Sequence, residues 1–307
     1  MNKNMKNKNY SNYIIPTSIL ISSLVIAVTL VYMIGAKNDD TQETKTSINS
    51  TNELTQALED SVLPSEGFVL PVVWGDLGKR LVNSGTIDIK KINAIYEEGG
   101  TFTDEYKELL LGQNESKLKI TNWNAGYLLN LFWALGLSNK NTILELGEMT
   151  DPSYGGPQNF ASTGGWTISN GNPMDHYSHY VFFTLTPEQQ MLVDRISNGI
   201  YIPCCNNSTH FPDCNHGMAM LGLLELMASQ GVSESDMWST ALTVNSYWFP
   251  DTYLTIATYM KNNGIRWNNV SPQEILSADY SSASGYKRVA LQVTKPKQQG
   301  GSSCSVN

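Results

Sequence analysis

The longest apolar stretch of the chain lies close to the N-terminus. Residues 14–35 carry no charged side chain and are rich in Ile, Leu and Val, and about 20 such residues suffice to cross the hydrocarbon core of a membrane. A secretory signal peptide has a shorter apolar region, followed by small residues at a cleavage site. The pattern predicts an uncleaved transmembrane helix over residues 13–36, with a cleaved signal peptide and a buried core helix as alternatives.

The charges on either side of this stretch predict its orientation. Lysines occur among the first ten residues without any acidic residue, whereas Asp39 and Asp40 follow the apolar stretch. Positively charged flanks remain in the cytoplasm. The sequence therefore predicts a single-pass protein of the cell membrane, with a cytoplasmic tail over residues 1–12 and an exported C-terminal part. Its contact with the membrane runs through residues 14–35.

Polar segments flank the rest of the chain. Residues 37–62 are mostly Asn, Asp, Thr, Ser, Gln and Glu, and such a composition cannot bury enough apolar surface to offset the entropy of ordering. We expect a flexible tether there and an exported globular domain over residues 63–294. Residues 295–307 consist largely of Pro, Gln, Gly and Ser and are expected to be a flexible tail.

The exported domain shows the periodicity of helices. Its clearest stretch repeats large apolar residues at the i, i+3, i+4, i+7 spacing of one helix face, at Leu128, Leu131, Phe132 and Leu135. The aromatic residues Trp123, Tyr127 and Trp133 of the same stretch are expected to pack in the core. The fold class is therefore mainly α with few strands, and helices are expected over residues 76–83, 88–96, 103–111, 121–137, 187–198, 217–229, 233–248 and 250–262.

Two segments alternate apolar and polar residues, which is the pattern of a strand. They cover residues 179–185 and 287–293. Between Met149 and Asp175 the periodicity disappears and Gly, Pro, Asn and Ser dominate, which predicts a long structured loop. Long loops inside a domain are often shaped around a functional site.

The charge of the chain limits its partners. The formal net charge is −8 at pH 7, and the exported part is more acidic still because several lysines belong to the N-terminal tail. A negative surface argues against nucleic acid as a partner. It suits a soluble domain or one that attracts cations.

Cysteine and histidine are clustered. The chain has four residues of each type, and three of the cysteines and every histidine fall between residues 176 and 216. Thiolate and imidazole are ligands for zinc, and thiolate with thioether selects Cu(I). We expect a copper or zinc site whose ligands are Cys204, Cys205, His210, Cys214 and His216.

Further residues near this run are possible ligands or supports. His176 and His179 share a face on a helix but point to opposite faces on a strand, so that at most one reaches a shared site in the second case. Met218 is a candidate thioether ligand, although core packing explains it equally well. Asp175 and Asp213 are expected to orient an imidazole from behind the ligands, unless they are turn residues.

A short motif resembles a known group of proteins. Pro203 followed by Cys204 and Cys205, then His210 and the pair Asp213 and Cys214, is similar to exported bacterial proteins with a PCYCGC motif, which are likewise membrane-tethered. The likeness covers residues 203–214, with adjacent cysteines where the motif alternates them. It implies an exported protein that bears Cys and His and is related to metals.

These observations favour one function and leave two others open. The first is a membrane-anchored, extracytoplasmic metal-binding protein that sequesters, senses or delivers copper or zinc. The second is a thiol redox enzyme, in which one cysteine attacks and another resolves. The third is a non-catalytic surface domain stapled by a disulfide, since exported compartments are often oxidising. Zinc hydrolysis is disfavoured because no His-Glu-x-x-His helix supplies a carboxylate base.

Overall fold

The chain was analysed as a computed structural model that describes residue 53, residues 55–98, residue 100 and residues 103–294. The expected cytoplasmic tail, the expected transmembrane helix over residues 13–36 and the expected C-terminal tail lie outside the described residues. Within these ranges, no helix combines the length and the apolar character that a membrane span requires. Residues 58–62, at the end of the expected tether, are helical, and Val62 is buried.

The described residues form a mainly helical fold with a two-stranded sheet, which confirms the predicted fold class. The sheet pairs β1 (Phe68–Gly75) with β2 (Asn114–Ile120) in antiparallel fashion. Helices precede and follow β2 along the chain. They are α1 (Leu77–Asn83), α2 (Ile89–Glu98), α3 (Asp104–Leu111), α4 (Ala125–Ser138), α5 (Thr142–Leu146), α6 (Ala161–Gly164), α7 (Pro187–Gly199), α8 (Asn215–Ser229), α9 (Glu234–Trp248), α10 (Pro250–Asn262), α11 (Pro272–Leu276), α12 (Ala278–Ser281) and α13 (Ala283–Ala290).

Helices α7 and α9 begin where the sequence predicts them because local caps fix their starts. At α7, the Thr186 hydroxyl accepts from the Gln189 N–H while the Gln189 side chain accepts from the Thr186 N–H, which completes a capping box. The Ser233 hydroxyl caps α9 by accepting from the Asp236 N–H. Such pairs lie within four residues of each other, so the sequence alone encodes them.

Helices α4 and α8 form the centre of the core. Nearly every residue of both is buried, and two glycines face each other where the helices cross. A Cβ atom built on Gly222 would lie 2.6 Å from the backbone nitrogen of Gly136, a distance that no real side chain tolerates. The backbones therefore approach as closely as they do only because both positions are glycine.

Both predicted strands are wrong. Tyr180 forms only an isolated bridge with Asn139, and the next carbonyls accept from the Arg80 guanidinium, at 3.3 Å for Val181 and 2.6 Å for Phe182, so no ladder continues. Residues 287–290 belong to α13, which starts at the Ser282 cap. There the helix caps outweigh the apparent alternation.

Two other features differ from the sequence-based expectation. Trp123 is 51% exposed, whereas Tyr127 and Trp133 are buried. Helix α4 starts at Ala125, so Trp123 lies before the helix and not on its buried face. The sequence did not predict strands β1 and β2. Pro71 interrupts β1, and most residues of β2 are charged or polar.

The long loop between Met149 and Asp175 is built of short 3₁₀ turns and α6. The turns are Pro152–Tyr154, Pro157–Asn159 and Pro173–Asp175, after a first one at Glu148–Thr150. The loop is tied to the core at Ser162, whose carbonyl accepts from the Trp133 indole at 2.6 Å. The Ser162 N–H donates to the Asp213 carbonyl at 3.1 Å. The loop therefore lies directly against the segment that carries the cysteines.

Candidate metal centre

The cysteine loop spans residues 200–214, between the end of α7 and the start of α8. Its first residues are anchored in the core, where Ile200 and Ile202 are completely buried. The Thr209 N–H donates to the Ile200 carbonyl at 2.8 Å, and the His210 N–H donates to the Ser197 carbonyl at 3.1 Å. The loop thus folds back on itself, which brings its early cysteines near its last one.

Three thiols converge in this loop. The Sγ atoms of Cys204, Cys205 and Cys214 all lie within 4.8 Å of one another. The Cys214 sulfur is 3.6 Å from that of Cys204 and 3.5 Å from that of Cys205. None of the three forms a disulfide with a described residue, and Cys204 is exposed while the other two are partly buried. In a tetrahedral zinc site with Zn–S bonds of about 2.3 Å, the sulfurs are about 3.8 Å apart, so the group is close to the spacing that one ion requires.

Helix α8 places Cys214. This residue is the N-cap of α8, and the Gly217 N–H donates to its sulfur at 3.3 Å. A helix N-terminus favours a negative charge. A Cβ built on Gly217 would lie 3.4 Å from this sulfur, so the backbone itself packs against the thiol. The sequence places Cys214 beside the helix, but it does not reveal this hydrogen bond.

Helix α13 holds the other end of the group. The Ala283 N–H donates to the Cys205 carbonyl at 2.8 Å, and the Ser284 N–H donates to the Asn206 side-chain oxygen at 3.0 Å. The tip of the loop is therefore fixed by residues almost 80 positions away in the sequence. Sequence reasoning missed this support, because it assigned part of α13 to a strand.

The pKa values of Cys205 and Cys214 are shifted in opposite directions. Hydrogen bonds from Cys204 and then Cys214 lower the pKa of the Cys205 thiol well below its ordinary value, against the opposing effect of burial. The pKa of Cys214 is raised: its hydrogen bond with Cys204 favours the thiolate, but the hydrogen bond with Cys205, burial and the charge of Cys205 outweigh that effect. The group thus stabilises a thiolate at Cys205, which is the form that binds a metal.

His216 lies beside the thiols in the first turn of α8. It is completely buried, and its Nδ1 atom is 3.9 Å from the Cys204 sulfur. The ring packs on Phe249 and Trp248, with centroid distances of 4.4 and 5.8 Å. Its Nε2 atom is buried and makes no hydrogen bond with any described residue. His216 therefore lies beside Cys204, although it is not one of the three mutually close ligands.

The other histidines have different neighbours. His210 Nδ1 lies 3.3 Å from the Glu148 carboxylate. The ring nitrogens of the buried His176 lie 2.8 Å from the Asn170 carbonyl and 3.0 Å from the Tyr180 hydroxyl, so both are engaged in structural contacts. His179 is exposed and packs edge-on against the Tyr180 ring. None of these three belongs to the close group of ligands among the described residues.

Of the three remaining candidates, Met218, Asp175 and Asp213, only Asp213 lies at the thiol group. Met218 is completely buried in the core. Asp175 is exposed, at the end of a 3₁₀ turn. Asp213 lies at the thiol group and accepts from the Asn207 amide at 2.9 Å, while burial and then the charge of Cys205 raise its pKa. It therefore orients the cysteine loop through Asn207, a contact that the sequence did not suggest.

Comparison with protein-family models gives no match, and neither the curated proteins nor the solved structures contain one. Three thiols at metal-ligand spacing and a buried imidazole beside them are suited to binding a soft or borderline cation.

Proposed function

We propose that this chain is a metal-binding protein whose centre holds one copper or zinc ion. Cys204, Cys205 and Cys214 are its thiolate ligands, and His216 is the candidate for the fourth position. The ion is sequestered, sensed or delivered on the exported side of a cell membrane, to which residues 13–36 anchor the chain. The main support for this proposal is the short distance between the three sulfur atoms, which all lie within 4.8 Å of one another.

Two properties of the surroundings support an ion there. Both anchors of the group, α8 and α13, come from the folded core, and rigid supports hold ligands in the geometry that a metal needs. The buried Nε2 of His216 makes no hydrogen bond with the described residues, and such a group needs a compensating partner or a rearrangement of the site. The Nδ1 atom of the same ring lies 3.9 Å from the Cys204 sulfur, and imidazole nitrogen is a ligand that copper and zinc accept.

Metal content and free thiols, measured on the same sample, test the proposal. The full-length chain is purified without oxygen, its metals are counted by mass spectrometry, and its thiols are titrated before and after chelation. We expect about one ion per chain, and thiols that become reactive only after the ion is removed. A metal-free protein that also fails to bind added zinc or Cu(I) under reducing conditions contradicts the proposal.

Single substitutions identify the ligands. Cys204→Ser, Cys205→Ser and Cys214→Ser are each expected to weaken binding by about 100-fold or more, because even indirect supports of a metal ligand contribute 10- to 100-fold. Cys304→Ser changes the cysteine outside the described residues and serves as the control. If it leaves metal binding unchanged, the loss of affinity in the other variants is specific to the cysteine loop. The absorption of the Co(II)-substituted chain reports the number of thiolates directly. Equal spectra for wild type and the three loop variants would exclude this loop as the centre.

A further inference from the structure

We infer that Cys204 is the position at which a hydroperoxide oxidises this chain, and that Cys214 then closes a disulfide with it. This reaction makes the centre oxidant-sensitive, because it removes two of the three sulfur ligands. The release of an ion rests on the proposed function. The disulfide itself does not, and it forms equally in the metal-free chain.

Exposure singles out Cys204. It is the exposed member of the group, whereas Cys205 and Cys214 are partly buried. Oxidation of a thiol by a peroxide depends on thiolate character and on access to the sulfur. Among the three thiols only Cys204 is exposed, and we infer that access selects it over the partly buried Cys205. The Cys214 sulfur is shielded by its position at the helix end, where the Gly217 backbone lies against it.

Distance singles out Cys214 as the resolving residue. Its sulfur lies 3.6 Å from that of Cys204, and the two must approach by only about 1.5 Å to reach the length of an S–S bond. The adjacent Cys205 is a poor partner for Cys204, because a bond between neighbouring residues strains the intervening peptide. Cys205 is also held in place through its carbonyl, which accepts from the Ala283 N–H at 2.8 Å.

The chemistry balances with one hydroperoxide. The Cys204 thiolate attacks the outer oxygen, an S–O bond forms, the O–O bond breaks, and the alkoxide or hydroxide leaves and takes up a proton. The Cys214 thiol then loses its proton and its sulfur attacks the sulfenic sulfur of Cys204, so that an S–S bond forms, the S–O bond breaks, and the departing hydroxide takes up that proton and leaves as water. Two thiols are oxidised by two electrons in total, and the peroxide is reduced to an alcohol or to water.

The consequence for a bound ion follows from its ligands. A disulfide sulfur is no longer a thiolate, and only thiolates bind zinc or Cu(I) strongly. After the reaction, Cys205 is the only thiolate left in the group. A thiol reductant reverses the change, because it attacks the disulfide and restores both ligands.

The experiment treats the full-length chain, zinc-loaded and metal-free, with one equivalent of hydrogen peroxide. Remaining thiols are alkylated, fragmentation spectra locate the cross-link, and released zinc is followed with a chromophoric chelator. We expect a bond between Cys204 and Cys214, an alkylated Cys205 and one zinc released per disulfide. A bond between Cys205 and Cys214, or oxidation to sulfinic acid without a disulfide, overturns the inference.

Two variants of the metal-free chain separate the roles. Cys204→Ser is expected to slow the loss of thiols by roughly ten-fold or more, since the exposed thiol is gone. Cys304→Ser, which changes the cysteine outside the described residues, is the control and is expected to form the disulfide at the wild-type rate. Equal rates for wild type and Cys204→Ser would show that exposure does not select the site. A chain that fails to bind added zinc and still forms the predicted disulfide supports this inference and contradicts the proposed function.

Discussion

The side-chain amide of Asn139 donates a 2.8 Å hydrogen bond to Oε2 of Glu225, whose side chain is completely buried in α8. The other end of the Asn139 amide accepts from the Phe182 N–H at 3.1 Å. Glu225 therefore reaches across the core and fixes the chain where it leaves α4 and where it passes Phe182. Ionisation of this buried carboxyl group lowers the stability of the folded chain, because a charge without water around it has a high free energy.

This burial predicts how stability depends on pH. Burial raises the pKa of Glu225 well above its ordinary value, so the folded chain keeps a proton that the unfolded chain releases near pH 4.3. The contribution of Glu225 to stability is therefore greatest below about pH 4.3 and decreases as the pH rises through the window up to the folded pKa. Glu225→Gln keeps an oxygen for Asn139 and is expected to remove this decrease.

The difference in unfolding free energy between wild type and Glu225→Gln gives the contribution of the Glu225 carboxyl group alone. Urea unfolding of both metal-free chains, under reducing conditions at several pH values, measures it. The wild type is expected to lose up to about 1.4 kcal/mol per pH unit relative to the variant within the window. Parallel curves of unfolding free energy against pH would mean that Glu225 is ionised in the folded chain, or that its pKa is raised equally in the unfolded chain.

The crossing of α4 and α8 predicts a strong effect of one methyl group. Gly222→Ala places a Cβ atom against the backbone of Gly136 and the Phe132 carbonyl, so the helices must separate. We expect a loss of about 2 kcal/mol in the free energy of unfolding, which is typical of overpacking in a core. Urea unfolding measures it.

Gly217→Ala is the matched control on the same helix. Its Cβ meets atoms no closer than 3.4 Å, so the alanine is expected to be neutral or to gain up to about 1 kcal/mol from helix propensity. Equal destabilisation by both substitutions would show that glycine conformation, and not the helix crossing, is responsible.

Cys214 is expected to have two separable roles. It caps α8 through its contact with the Gly217 N–H, and we propose that it also binds the ion. Serine is a better N-cap than most residues, so Cys214→Ser retains the cap and loses the thiolate. Cys214→Val loses both, and is expected to lower the stability of the metal-free chain by about 1 kcal/mol.

Thermal unfolding with and without zinc distinguishes the two roles. Wild type is expected to gain stability with zinc, because an ion that binds only the folded state stabilises it. Neither variant should show this gain, and only the valine variant should be weakened without zinc. A zinc-dependent gain in Cys214→Ser would argue against Cys214 as a ligand.

His216 and His210 make a matched pair for metal affinity. His216 Nδ1 lies 3.9 Å from the Cys204 sulfur, whereas His210 pairs with Glu148. His216→Gln is expected to weaken zinc binding by about 10- to 100-fold, and His210→Gln is expected to leave it unchanged. Competition with a chelator of known affinity measures both, and the reverse ranking would assign the imidazole ligand to His210.

The sequence alone determined most of the longer helices, because their signals are local, whereas α5, α6, α11, α12 and α13 were not predicted. The capping box at Thr186 and the cap at Ser233 operate within three residues, and the apolar periodicity of α4 is read from consecutive turns. The loop with its cysteines between α7 and α8 was predictable for the same reason. Trp123 was the exception, since the helix begins at Ala125 and not at residue 121. A shift of four residues in the helix start leaves this side chain before the helix and on the surface.

Only the tertiary structure decided which residues meet. The pairing of β1 with β2 joins residues 52 positions apart at one end, Phe68 and Ile120, and 39 positions apart at the other, Gly75 and Asn114. No local pattern encodes such a contact. His210 and His216 lie at similar distances from Cys214 in the sequence, yet one faces Glu148 and the other the thiols. The direction of α8 and the contact of α13 with Cys205 set this difference, and both depend on how the helices pack in the core.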